Sequence, residues 1–110
     1  MANEISQLID EVRQFTTDRD WDQFHNPKDL AIALSIEASE LLEVFLWKSP
    51  DDAKIEKIKE ELADVVNYAL LIADKCNLDV VEIVREKMKL NAEKYPVNKA
   101  KGVATKYNEL

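Results

Sequence analysis

Glycine is almost missing from this chain: one Gly and three Pro stand among 110 residues. So few turn formers exclude a hairpin-rich β architecture and favour long helices joined by short turns. Cysteine is nearly absent too. Cys76 alone cannot close an internal disulfide, which excludes a disulfide scaffold and is read as a reducing, cytoplasmic setting. The single histidine, His25, lies in a connection and leaves no Glu-x-x-His pairs for a di-iron carboxylate bundle. No charge-free apolar run reaches the roughly 18 residues that span a bilayer, and no signal-peptide pattern opens the chain, so no membrane partner is expected. Positive charge is also short. Fifteen Lys and Arg against 22 Asp and Glu give a net charge of −7, the wrong sign for a nucleic-acid polymer as partner.

What is present is apolar and periodic. Hydrophobic residues make up 46% of the chain, enough for one domain with a modest core. Ile5, Leu8, Ile9, Val12 and Phe15 recur at helical spacing and predict a first helix over Glu4 to Phe15. A polar connection carrying Trp21, Phe24 and His25 follows. Asn26-Pro27 reads as cap and first residue of a central helix running to about Trp47-Lys48. Ser49-Pro50 repeats the device for a third helix to about Cys76, with Ile55, Ile58, Leu62, Val65, Ala69 and Ile72 on its core side. Asn77 ends it. Asp79 and Glu82 form a capping box for a fourth helix, which Tyr95-Pro96 stops. The expected fold is all-α and four-helix bundle-like over residues 1–96, with an irregular tail over 97–110.

Two acidic pairs stand out. Glu37 and Glu40, then Glu61 and Asp64, each lie three residues apart, on one helix face about a turn along. Both pairs sit in apolar segments, Glu37 among Leu30, Ala33, Leu41 and Val44, with no Lys, Arg or His in that stretch to pair with it. A single such pair is usually a solvated face. Two on helices about twenty residues apart can meet across an antiparallel pair, where burying carboxylates without partners costs free energy. A shared divalent cation reconciles these facts, and all-oxygen ligation points to Mg²⁺, with Mn²⁺ as substitute.

Other residues admit two readings each. Trp47 follows Glu40 by seven residues, on the same face of a continuous helix; it is a core or interface tryptophan, or a stacking wall for a planar ring. Trp21 and His25 are structural, or supply an aromatic and a hydrogen bond beside the site. Tyr68 shares the face of Glu61 and Asp64. Lys87, Asn91 and Lys94 form either a solvated basic stripe or a phosphate clamp. An entirely different reading, a non-catalytic helical module whose acidic faces bind a basic partner, predicts no divalent-ion dependence.

At these residues the chain resembles the MazG-type all-α nucleoside triphosphate pyrophosphohydrolases, and within them the dCTP pyrophosphatase branch. The resemblance is carried by Glu37-x-x-Glu40 and Glu61-x-x-Asp64, by Arg19-Asp20-Trp21-Asp22-Gln23-Phe24-His25, by Phe45-Leu46-Trp47-Lys48, by Tyr68, by Lys87-Met88 with Asn91, by Tyr95-Pro96-Val97 and by the tail Lys106–Leu110. It implies hydrolysis of a nucleoside triphosphate, dCTP or a modified dCTP, to the monophosphate and pyrophosphate. Glu37, Glu40, Glu61 and Asp64 would hold Mg²⁺, with Glu37 or Glu40 orienting the water. Trp21, His25, Trp47 and Tyr68 would form the base and sugar pocket, and Lys87, Asn91 and Lys94 would meet phosphates. Val12 stands where some members of the branch carry a base-contacting His, and Ile36 where other MazG-type branches have a second acid. A chain this short cannot enclose a triphosphate alone, and its central helix is apolar nearly all round, so a homodimer or homotetramer is expected.

Overall fold

The computed structural model describes residues 3–110, and among them every regular element is helical. Five α-helices follow in order: α1 Glu4–Asp18, α2 Pro27–Glu43, α3 Ile55–Lys75, α4 Val80–Lys94 and the single turn α5 Val97–Ala100. They group into two compact units, one ending at Leu78 and the other spanning Asp79–Leu110.

In the first unit α3 packs against both α2 and α1. Helix α1 starts with a reciprocal box: the Asn3 side chain accepts from the Ser6 N–H at 2.8 Å, and the Ser6 hydroxyl accepts from the Asn3 N–H at 2.9 Å. It runs one turn past Phe15, because Thr16 is buried and its hydroxyl donates to the Arg13 carbonyl at 2.8 Å. The chain then breaks at Asp20, whose φ of 56° is left-handed. Arg13 ties α1 to α3 through a forked contact to Asp74, with Nε to Oδ2 at 3.0 Å. Lys75 pairs with Asp22 and fixes the connection after α1 to the same end of α3.

Asn26 caps α2 as its sequence predicts, accepting from the Asp29 N–H at 2.9 Å, with Pro27 in the first turn. The helix ends at Glu43, about one turn before the expected Trp47. Val44, Phe45 and Leu46 continue as tighter turns whose N–H groups donate three residues back, and Trp47 takes φ 58°. Trp47 therefore does not extend the Glu37–Glu40 helix face; its side chain stands 94% exposed. Ser49 is not the cap of α3 either. Its hydroxyl bonds the Asp52 carboxylate at 2.8 Å over a 3₁₀ turn, Pro50–Asp52, and α3 begins only at Ile55.

The core is small. Leu30 on α2 and Leu70, Leu71 and Ala73 on α3 are the buried apolar residues, at the end of α3 that Arg13 and Lys75 anchor. Of the expected core side of α3, Ile58, Val65 and Ile72 are half-buried, whereas Ile55 and Leu62 are 61% and 48% exposed and Ala69 is exposed. Period alone marks a face without saying what covers it. Asn77 closes α3 in the left-handed region at φ 54°.

In the second unit Asp79 accepts from the Glu82 N–H at 2.9 Å and starts α4. Pro96 both stops α4 and precedes α5, so the segment read as an irregular tail holds one helical turn and a final 3₁₀ turn, Tyr107–Glu109. Tyr107 anchors it, edge-on to Tyr95 at 6.0 Å and beneath the Lys94 ammonium at 4.8 Å.

Candidate metal centre

Because α2 and α3 run antiparallel through a short connection, their acidic pairs meet. Carboxylate oxygens of Glu37, Glu61 and Asp64 lie within 4.8 Å of one another. Glu40 lies outside that trio but close enough for its charge to act on Glu37 and Glu61. Leu30 and Leu71, both buried, belong to the same two packed helices, so the pair that forms the core also forms the site.

The electrostatics are those of an uncompensated cluster. One oxygen each of Glu37 and Glu61 is buried with no hydrogen-bond partner. Burial, then Glu40, then Asp64 and Glu61, push the Glu37 carboxyl up to about 7. Burial first, then Glu40 and Asp64, raise Glu61 as well. No cationic side chain figures among these influences. Tyr68 faces the same charges: burial, followed by Glu37, Asp64 and Glu40, raises its hydroxyl, which stays a proton donor. Orphaned, desolvated hard-oxygen donors from two helices fit a divalent cation, which would satisfy the buried oxygens and stabilise their ionised form.

The aromatic candidates are dispersed. Trp21 is half-exposed and packs edge-on against Phe15 at 5.9 Å, with the Arg19 guanidinium 3.6 Å over the Phe15 ring. His25 is half-buried, and its Nδ1 is buried with no partner, an open hydrogen-bonding position. Trp47 presents its indole to solvent. Lys87, Asn91 and Lys94 belong to the second unit, where Lys94 already covers Tyr107, so their assignment to phosphates rests on resemblance alone.

Sequence reasoning passed over three cations. A cleft of about 410 Å³ at the α2–α3 connection is lined by Glu40 and Glu61 together with Lys48, Lys54 and Lys57. A signal was available: Lys54 is the N-cap of α3 and Lys57 lies in its first turn, where acids are favoured.

Comparison with known proteins bears on this geometry. A model of the MazG-like family matches residues 32–110, which include both acidic pairs. The chain is 38% identical over 105 residues to dCTP pyrophosphatase 1 of Mus musculus and 36% identical over 105 residues to dCTP pyrophosphatase 1 of Homo sapiens. Each alignment covers 88% of this chain but 62% of the relative, so the chain spans less than two thirds of those proteins' length. Among solved structures, a pyrophosphatase from Archaeoglobus fulgidus is similar with a TM-score of 0.80 and 37% identity, covering 87% of this chain and 95% of that one.

Proposed function

The chain belongs to the MazG-like family, and from that premise we propose that it hydrolyses nucleoside triphosphates, dCTP or a modified dCTP foremost, to the monophosphate and pyrophosphate. The observation that carries the reading is the set of Glu37, Glu61 and Asp64 carboxylates with Glu40 beside them, two of whose oxygens are buried and unpartnered. These four residues would hold Mg²⁺, with Mn²⁺ as a substitute. Bound there, the cation would supply charge neutralisation at the α-phosphorus and make nearby water more acidic.

The chain's own groups account for the remaining tasks. Glu37 or Glu40 orients the attacking water and takes up its proton. Tyr68, whose hydroxyl stays protonated beside the carboxylates, donates to the sugar. Trp47, with its exposed ring, stacks on the base for ~1–3 kcal/mol, an interaction that binds bases without choosing among them. Choice requires hydrogen bonds, and the unpartnered Nδ1 of His25 is available for one. An exposed indole gains its full stacking value in an enclosed pocket, and Leu42 and Leu46, which precede it in the chain, are 73% and 56% exposed. Both features support a homodimer, or a dimer of dimers, in which a second copy covers these residues.

The test is pyrophosphate release from a panel of dNTPs and NTPs, with Mg²⁺ and again with EDTA. Metal-dependent release favouring dCTP is expected. Release from all bases alike would keep the reaction and remove the cytosine preference. No release from any nucleotide would overturn the proposal and favour an acidic interaction module.

A further inference from the structure

Trp21 and His25 belong to the connection between α1 and α2, and the two halves of that connection are held by different means. The first half hangs on α1: the Trp21 N–H donates to the Thr16 carbonyl at 3.0 Å, and its ring packs edge-on against Phe15. The second half is the 3₁₀ turn Asp22–Phe24, in which the Trp21 and Asp22 carbonyls accept from the Phe24 and His25 N–H groups at 2.9 and 3.0 Å. So short a turn has little stability of its own. Among the described residues, the only side-chain hydrogen bond or ion pair from residues 22–25 to a helix joins Asp22 to Lys75, the last residue of α3. Lys75 keeps only 25% of its side chain exposed, so solvent screens this pair less than it screens an open surface pair. The neighbouring Asp74 takes Arg13 of α1, so adjacent residues at the end of α3 grip α1 and the connection separately. His25 has no partner on its buried Nδ1, and its place follows from the backbone that Asp22 holds.

We propose that Lys75 is a positioning residue for nucleotide selection: through Asp22 it sets where Trp21 and His25 stand against the base and sugar of the substrate. The inference rests on the proposed function, which gives those two side chains the pocket, and adds a residue that touches no substrate. A hydrogen bond from His25 selects a base only while its distance and angle are held. Without the pair the turn settles among several arrangements, and the base contact forms in only a fraction of them. Binding weakens in proportion to that fraction. The carboxylates that act at the α-phosphorus are separate from this. Asp64, the nearest of them in the chain, precedes Lys75 by about three turns of α3, and neither it nor Glu61 takes part in the pair. Removing Lys75 should therefore raise KM and leave kcat, the mark of lost binding that ground and transition states share.

The experiment is steady-state hydrolysis of dCTP and of dUTP by the full chain with Mg²⁺, alongside melting temperatures. The proteins are the natural chain, Lys75→Gln, Lys75→Arg, Asp22→Asn, Lys75→Gln/Asp22→Asn and Arg13→Gln. We expect Lys75→Gln and Asp22→Asn each to raise KM for dCTP roughly fivefold or more, with kcat changed less than about twofold. Both should also bring kcat/KM for dCTP closer to that for dUTP. The double change should be no worse than either single one, since each removes the same interaction. Lys75→Arg should restore most of the loss. Arg13→Gln breaks the adjacent ion pair, so it should lower the melting temperature and leave KM near its natural value. KM unmoved in Lys75→Gln would overturn the positioning role. So would a rise as large in Arg13→Gln, because general loosening of that end would then suffice, and so would additive effects of Lys75→Gln and Asp22→Asn. In each of these cases hydrolysis of dCTP by the natural chain still upholds the reaction. If the natural chain hydrolyses no triphosphate, the reaction itself fails and the positioning role with it.

Discussion

The two ends of the α2–α3 pair are built by one antiparallel register and have opposite character. At one end Leu30, Leu70, Leu71 and Ala73 are buried among apolar neighbours, and Arg13 and Lys75 supply charged partners to Asp74 and Asp22. At the other, Glu37, Glu61 and Asp64 converge with Glu40 nearby, and one oxygen each of Glu37 and Glu61 is buried with nothing to satisfy it. The first end lowers the free energy of the folded chain and the second raises it. A protein tolerates such an end where it performs a task, and the strain at this one is of the kind a cation relieves.

The largest expected effect breaks the comparison at the carboxylate end. Glu61→Gln removes a charge that burial and Glu40 disfavour, while supplying an amide of nearly the same shape. Metal-dependent turnover should fall more than ~100-fold, beyond what losing a mere supporting contact to a ligand costs. The melting temperature measured in EDTA should stay level or rise. Glu61→Gln protein that turns over dCTP at a substantial fraction of the natural rate would remove Glu61 from the ligand set.

The converse change breaks the other end. Leu30 is 1% exposed, so Leu30→Ala leaves a cavity at the tightest point of the core. A loss of about 2–5 kcal/mol is expected, lowering the melting temperature by more than ~8 °C. Turnover per folded molecule, measured well below that transition, should change little. If Leu30→Ala reduced turnover in proportion to Glu61→Gln, the two ends would not be separable.

How much of this contrast was legible in the sequence depends on what marks each feature. Asn26-Pro27 carries a start signal that no tertiary contact overrides, and the Glu-x-x-Glu and Glu-x-x-Asp pairs announce themselves by standing where apolar residues belong. The end of α2 carries no such signal. Val44-Phe45-Leu46-Trp47 has no Gly to stop it, and only the structure reveals that Trp47 itself takes the left-handed position usually left to Gly. That missing signal put Trp47 on a helix face it does not share. Ser49 was misread for a related reason: a Ser-Pro-Asp-Asp run caps a 3₁₀ turn as readily as a helix, and here the hydroxyl is taken by Asp52. Ile55 and Leu62 have the spacing of core residues, yet spacing describes one helix, whereas burial depends on what lies against it. The lysines of the cleft were legible one at a time, and only the fold of the connection gathers them.

The smallest expected effect sharpens the comparison through pH, because the two ends titrate in opposite directions. At the apolar end the hydrogen bond from Arg13 holds Asp74 below its usual 3.8. Its contribution is therefore present above that value and is lost as the pH falls through the lowered one. At the carboxylate end Glu37 moves from 4.5 up to about 7. Between those values the unfolded chain has released a proton that the folded chain retains, so in EDTA stability falls as the pH rises across this window. A divalent cation needs the ionised carboxylate and must displace that proton below about 7, so its stabilisation should grow with pH. The rise in melting temperature on adding Mg²⁺ should accordingly be a few degrees larger at about pH 8 than at about pH 6. Leu30→Ala should keep this pH dependence, since it alters no titrating group, whereas Glu37→Gln should flatten it. A Mg²⁺ response equally steep in Glu37→Gln would assign the proton to another group and leave Glu37 as a carboxylate that its burial does not control.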